Sequence, residues 1–512
     1  MNPNTRIALN TSVIYCRLIV TIFVSLFSTR YILLALGETD FGIYNLIAGV
    51  VALFSFIAST MAGTTQRYIS YHMGSGDMQQ VGNVFYASCF IHICIAVIVA
   101  LLVEVGGTYL VNHVLSIPDG RVADARFVLH CVTIGLAGTI VTVPYEAALM
   151  AHENILFISI VNLLNAVVKL AGAVVLLYIH LDRLRVYAVI MALLPFLCFG
   201  LEALFCNIKY KETRIRLHRI SDFSLIKSMC GFAGWVLIGV TCGTIRTQGT
   251  AILLNVFFGV VANAANGIAM QVNGQLQQFS TSITTSIRPQ LMKSAGCNDR
   301  ERMLTLTYAA CKYPFLLMVL FAVPLIIAMP EVLHLWLKEV PEYTVVFCRL
   351  LLLASMFNQI SMGLTIAAEA TGKVKLLHSI IGTLHIVSLP AGYLFFKFGY
   401  PPQTIMWCIV TEEVVASVLR LILVKRMIDI NVPLFLKNVV LRSFSVVFFY
   451  SVICGFVWNS LPDSLLHLLL FCAISAIVFF LTTGTCGLTL KERQKIKELI
   501  QVGLTRIKAV HS

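Results

Sequence analysis

The 512 residues are 58% hydrophobic and only 12% charged, about half the charge of roughly 25% that a soluble domain carries, so a water-soluble globular fold is excluded and the bilayer must be the solvent. The net charge of +13 invites a nucleic-acid partner, but it is first weighed against the gathering of Lys and Arg in cytoplasmic loops. Fifteen cysteines form no CxxC pair and no Cys/His cluster at metal spacing, and most sit inside apolar runs as small packing residues do.

A helix that crosses lipid needs about 20 apolar residues. On that criterion the chain predicts fourteen spans: 9–36, 42–65, 84–116, 125–150, 155–180, 185–208, 225–256, 260–287, 305–330, 343–371, 375–398, 403–425, 437–459 and 464–488. The first is longer than the apolar region of a signal peptide and reads as a retained span. The runs are too uninterrupted for the strands of a membrane barrel. The fold class is therefore all-α integral membrane.

The connections set the orientation. One set carries Arg67, then Lys209, Lys211, Arg214, Arg216 and Arg219, then Arg288, Lys293, Arg300 and Arg302, then Lys373, Lys375, Lys425, Arg426 and Lys437, and the basic tail. The other carries only Arg121, Arg126, Arg183, Arg185 and Lys338, with Lys397 at an edge. This asymmetry places both termini in the cytoplasm and accounts for the positive charge with no nucleic acid. The tail repeats apolar residues near helical spacing between Leu490 and Ile507, a pattern that fits either an amphipathic helix on the anionic inner leaflet or a solvated helix.

Two halves repeat the same order of features. Gly37-Glu38-Thr39-Asp40-Phe41-Gly42 follows span one, and a polar-flecked span then runs through Thr64-Thr65-Gln66-Arg67 to Gly76-Asp77. Phe258-Gly259 follows span seven, and its polar-flecked span runs through Thr284-Thr285-Ser286-Ile287-Arg288 to Asn298-Asp299. Both basic connections lie on one side, so the repeats start at spans one and seven and are parallel, six spans each. The expected domains are a bundle at 1–208, a basic linker at 209–224, a second bundle at 225–425, two added spans at 426–488 and the tail at 489–512. A central cavity between the bundles is expected.

Charges inside a span cost at least about 2.5–3.5 kcal/mol each and usually face a cavity or a partner. Arg17, Arg30, Glu104, Lys169 and Arg246 qualify, with Glu369, Glu412, Glu413 and Arg420 in the second half. Arg30 lies twelve residues before Gly42 and Arg246 thirteen before Gly259, which suggests equivalent depths. Two guanidiniums, with Lys169 and Arg17 beside them, suit a phosphate-bearing anion. The alternative is that each cation pairs with a carboxylate or reaches an interface. Glu104, Glu369 and Glu412 are candidates to carry a coupling proton or sodium ion, or are partners for arginines. Glu38 and Asp40 are explained by solvation in an outer loop. Span eight holds three Asn and four Gln, among them Asn266 and Gln271, and these must face a cavity or neighbouring helices. Amides of this kind suit hydroxyl-rich ligands. There is no GxxxxGK[ST], HExxH or GxSxG motif, so neither a nucleotide site nor an enzyme is expected, and no cofactor or metal.

Certain residues resemble a known family, the bacterial polysaccharide repeat-unit flippases of the multidrug/oligosaccharidyl-lipid/polysaccharide (MOP) exporter superfamily. They are Arg6-Ile7-Ala8-Leu9-Asn10-Thr11 with Tyr15 and Arg17, Leu36-Gly37…Asp40-Phe41-Gly42-Ile43-Tyr44, Gln66-Arg67-Tyr68-Ile69-Ser70, and Asn263-Ala264-Ala265-Asn266-Gly267-Ile268-Ala269 leading to Arg288-Pro289-Gln290-Leu291. The resemblance implies fourteen spans, twelve of them a transport core around a cationic cavity. It implies an undecaprenyl-pyrophosphate-linked oligosaccharide as substrate, moved from the inner to the outer leaflet for O-antigen or capsule assembly, with ion-coupled antiport. Membrane lipids and the polymerase and chain-length proteins of that assembly route would be its partners. The main rival is a MATE-type cation-coupled multidrug exporter, which needs anionic cavity residues. A membrane polymerase or ligase needs a long outer loop, and the longest here, 331–342, is short.

Overall fold

The structure, a computed structural model, describes residues 3–52, 54–113, 115, 117–214, 223–337, 339–461, 465–490 and 492–494. Most of the amphipathic tail, Lys338, and Arg216 and Arg219 of the basic linker lie outside these residues, as does the side chain of Glu38.

The described residues are helical, without strands. In chain order the helices are α1 (Pro3–Ala52), α2 (Ser55–Ser75), α3 (Met78–His113), α4 (Val122–Ala151), α5 (Ile155–Val175), α6 (Arg183–Lys209), α7 (Phe223–Gly296) and α8 (Arg300–Ile327). They continue as α9 (Met329–Leu337), α10 (Thr344–Thr371), α11 (Lys375–Lys397), α12 (Gln403–Ile428), α13 (Val432–Phe435), α14 (Arg442–Ser460) and α15 (Leu465–Thr482). Eleven segments among the described residues are long and apolar enough to cross a membrane. The remainder of the fourteen-span expectation is accounted for by α7, whose 74 residues suffice for two spans, and by α2 and α12. The last two are diluted by polar and charged residues, Glu412, Glu413 and Arg420 in α12 among them.

The two longest helices share one interruption. In α1, Gly37 has φ 74 and ψ 173; in α7, Gly259 has φ 76 and ψ −167. This region of backbone space is essentially restricted to glycine. The repeat therefore aligns Gly37, not Gly42, with Gly259. The same offset of 222 residues pairs Gly74 with Gly296, Asp77 with Asp299, and Gly76 with Asn298, the last two both with positive φ. In this register Arg30 precedes its glycine by seven residues and Arg246 by thirteen. The two arginines are not equivalent, which corrects the expectation of matched depth.

The chain divides into two compact units, residues 1–240 with 285–300, and residues 241–284 with 301–512. In unit 1, α4 packs against α6 and α3, and α1 against α5. Small residues permit the approach: a Cβ on Gly135 would lie 3.3 Å from the Met191 carbonyl oxygen, and one on Gly138 would lie 3.0 Å from the Phe196 ring. In unit 2, α12 packs against α10 and α11, and α14 against α15.

One end of unit 1 is tied by Arg121, which donates to Asp40 at 2.9 Å, Asp124 at 2.8 Å and Asp182 at 2.6 Å. Asp40 is thus a buried partner on the second segment of α1, not a solvated loop residue. At another site Glu153, in the left-handed turn between α4 and α5, is buried and bonded to Gln290 and Lys293 of α7. The turn after α6 holds Glu212 against His152 at 2.6 Å, and that ring stacks on Tyr210 at 3.7 Å.

The hydrogen bond from His152 keeps the Glu212 carboxyl below its ordinary range, outweighing partial burial. A lowered folded-state value means that the bond stabilises above the ordinary carboxylate range and that this is lost as pH falls through the lowered value. The melting temperature of the wild type should exceed that of Glu212→Gln at pH ~7, and the gap should close below pH ~4. A gap that is constant across that range would contradict the assignment.

Candidate functional site

Among the described residues, each unit holds a cavity lined by charged and amide side chains. In unit 1 it measures about 490 Å³ and is lined by Arg17, Thr21, Ser25 and Ser28 of α1 and by Asn162, Asn165 and Lys169 of α5. The α1 residues recur at helical spacing and so share a face. Lys169 has no hydrogen bond or ion pair among the described residues. Arg17 has none either, but Glu146 of α4 lies within reach of its charge. Two cations against one carboxylate leave the cavity cationic. Arg30 is exposed and does not line it.

In unit 2 the cavity measures about 270 Å³ and lies among α7, α10 and α12. Asn266, Asn273 and Gln277 supply amides from one face of α7, with Ser355 and Asn358 opposite on α10. Ser355 donates to Asn273 at 2.7 Å and accepts from Gln277 at 3.0 Å, which fixes two of the amides. Gln271 is exposed on another face of α7 and does not contribute. The clustering of amides on α7 is thus a cavity feature for Asn266 and not for Gln271.

Arg246 lines this second cavity, yet it is not free. Its Nη1 donates to Glu412 at 2.8 Å and to Glu413 at 2.9 Å. Glu413 also accepts from Asn358 at 2.9 Å and lies 3.7 Å from Arg420, which donates to Ser361 at 2.8 Å. His385 of α11 bonds Glu412. Arg349 of α10 donates to the Ile326 carbonyl at 2.8 Å.

The ion-coupling candidates separate in the same way. Glu104 pairs with His130 at 2.7 Å, both partly exposed. Glu369 is buried, 3.8 Å from His378. Glu412 belongs to the buried cluster. The ligand atoms of His385, Glu412 and Glu413 lie within 4.8 Å of one another, close enough for one cation, but Arg246 already sits on both carboxylates.

Among the described residues, Glu146, Glu202 and Lys312 are charges within helices that are absent from the sequence-based candidates. Glu202 of α6 lies within reach of the charge of Glu146, and its Oε2 is buried with no hydrogen bond among the described residues. Lys312 of α8 is buried and bonded to Glu492 at 2.7 Å. Each stands inside an apolar run, which is the signal that identifies it.

With this geometry the known proteins can be compared. A crystal structure of a MATE mutant superposes with TM-score 0.73 at 13% identity, over 84% of this chain and 97% of that one. A MOP superfamily transporter from Pyrococcus furiosus superposes with TM-score 0.71 at 12% identity, over 84% of this chain and 96% of that one. The Vibrio cholerae MATE transporter VcmN in its bent form gives TM-score 0.65 at 16% identity, over 83% of this chain and 98% of that one. The chain has the MATE transporter fold. No protein-family model matches it. The uncharacterized membrane protein EpsK of Bacillus subtilis (strain 168) is 24% identical over 140 residues, 26% of this chain and 27% of that protein. The match therefore spans about a quarter of that relative.

Proposed function

We propose that this protein is a membrane transporter, not an enzyme, that moves undecaprenyl-pyrophosphate-linked oligosaccharide repeat units from the inner to the outer leaflet of a bacterial plasma membrane by alternating access. The surface polysaccharide route would supply its substrate and consume its product, with polymerase and chain-length proteins as partners. Both termini would face the cytoplasm, and the bundle boundaries at 208, 225 and 425 stand as part of this reading.

The cationic cavity of unit 1 carries the proposal. A pyrophosphate cannot cross hydrocarbon without a partner for its charge. Arg17 offers a planar donor pair and Lys169 a point charge, and neither is held by a hydrogen bond or ion pair among the described residues. Asn162, Asn165 and the α1 hydroxyls supply groups for phosphate oxygens or sugar hydroxyls. The lipid tail would remain in the bilayer. Arg30 and Gln271 no longer belong to the proposed contacts; Arg17, Lys169 and Asn266 do, and Arg246 only with its carboxylates accounted for.

The fold equally suits a multidrug exporter. That reading needs a carboxylate open to a cationic drug, and Glu413 is the acid in the lining of the unit 2 polar cavity. It is occupied by Arg246 and Asn358, which favours the anionic substrate. The P. furiosus MOP transporter is itself described as having a binding pocket of reverse polarity that suggests a different function.

The test is complementation of a strain lacking its repeat-unit flippase, scored by surface polysaccharide. The wild type should restore it. Arg17→Gln combined with Lys169→Gln should reduce it at least tenfold while membrane levels are unchanged. Full rescue by the double variant would refute the site, and drug resistance without rescue would favour the exporter.

A further inference from the structure

The cluster around Arg246 supports a second conclusion, independent of the unit 1 cavity. Every charged or titratable group that faces it can be named. Arg246 comes from α7 and His385 from α11. Cys408, Glu412, Glu413 and Arg420 come from α12, and Cys311 of α8 lies beside Arg420. From α10 the neutral Asn358 and Ser361 side chains bond Glu413 and Arg420, and the backbone at Gly363 and Leu364 meets Cys311. Two arginines face two carboxylates, so the formal charges of these four groups cancel.

Only part of the cluster meets the cavity. Arg246 and Glu413 line it, whereas Glu412 and His385 lie behind them, their side chains 4% and 11% exposed. The Glu412 Oε2 is buried with no hydrogen bond among the described residues. It is an acceptor in search of a donor. A metal cation is a poor candidate, because it would have to evict Arg246 from both carboxylates. A proton evicts nothing.

Among the described residues the Arg246 guanidinium is the cationic group in the lining of this cavity, and it suits an oxyanion. An oxyanion that reaches it adds a negative charge to a buried group of zero net charge, which is costly where water cannot screen it. The cost is removed if one proton arrives with the anion. We propose that the unit 2 cavity binds an oxyanion at Arg246 and that the buried His385–Glu412 pair takes up one proton as it binds. With that proton in place, Glu412 releases its share of the Arg246 guanidinium to the anion, and Glu413 stays held by Asn358 and Arg420.

Linkage fixes the direction. If anion binding takes up a proton, proton binding strengthens the anion by the same factor. Affinity must then rise as pH falls, by up to tenfold per pH unit for one proton. The anion and the proton load together. An exchanger in which the proton displaces the anion would show the opposite slope.

The probe is methyl sulfate, a monovalent oxyanion with no titratable proton of its own. The full-length protein in detergent carries Arg17→Gln and Lys169→Gln, so that the unit 1 cavity does not contribute. Calorimetry in buffers of different ionisation heat counts the protons. About one proton should be taken up per anion at pH ~7.5, and affinity should weaken towards tenfold per unit as pH rises. Adding Arg246→Gln should abolish binding; adding Glu412→Gln should preserve it, with no proton uptake and no dependence on pH. Absence of binding, binding without proton uptake, or uptake that survives Glu412→Gln would each overturn the proposal. The complementation result does not enter: unit 1 can fail as the headgroup site while this linkage holds, and the reverse.

Discussion

Gly296→Ala should prevent unit 1 from closing, with a loss of about 3 kcal/mol or more, at or above the upper end for overpacked cores. A Cβ at Gly296 would lie 2.0 Å from the Tyr71 carbonyl oxygen, and one at Gly74 would lie 2.2 Å from the Lys293 carbonyl oxygen. Both obstacles are backbone of α2 or α7, so no rotamer change can relieve them. The two helices must separate, and separation removes the contacts that surround the crossing, the Cys297 thiol donating to the Gly74 carbonyl among them. Gly74→Ala should behave alike, and the double variant should cost less than the sum, because both changes open one contact. Gly63→Ala is the control: its Cβ meets the far end of the Arg288 side chain at 3.1 Å, not backbone, and should be better tolerated. Thermal unfolding of purified protein separates these outcomes. Wild-type melting of Gly296→Ala would refute the close crossing.

Arg246→Met should be nearly as damaging. The substitution leaves two buried carboxylates facing Arg420 and a histidine, and breaking a buried pair in this way costs about 3–5 kcal/mol. The side chain is 19% exposed and both acids 4%, so water cannot take over the lost interaction. Adding Glu412→Gln should recover much of the loss, since the remaining charges, Glu413 and Arg420, then balance. The double variant melting no higher than the single would show that packing, not charge, sets the cost.

The sequence discloses the architecture well and the sites unevenly. Apolar length gives the spans because lipid imposes it on every segment. The repeat was visible in its order of features, but its register turned on which glycine carries the extended, positive-φ backbone, and Gly37 and Gly42 look alike in a string of letters. Arg17 and Lys169 were legible because a cation in an apolar run is rare. Arg30 is equally rare and lies on a different face of α1, a distinction that needs the helix phase relative to its neighbours. The neutralisation of Arg246 was out of reach, since its partners stand 166 and 167 residues away on α12. His385 was passed over because a lone histidine in an apolar run carries no signal until Glu412 is placed against it.

The ion pair between Lys312 and Glu492 has a consequence for biogenesis. Lys312 belongs to α8, its side chain 3% exposed, and its carboxylate arrives 180 residues later, after α15. Glu492 also closes a small capping arrangement with Thr489, so it reaches Lys312 on an ordered turn. A chain emerging from the ribosome at about 5–20 residues per second holds that ammonium without its partner for some ten seconds or more. Throughout that interval the lysine must be kept wet, or held by the insertion machinery, and unit 2 cannot finish packing around it. Completion of this bundle is thereby timed to the emergence of Glu492, and a ribosome that stalls before it leaves the Lys312 ammonium without its carboxylate, a charge exposed for quality control to find.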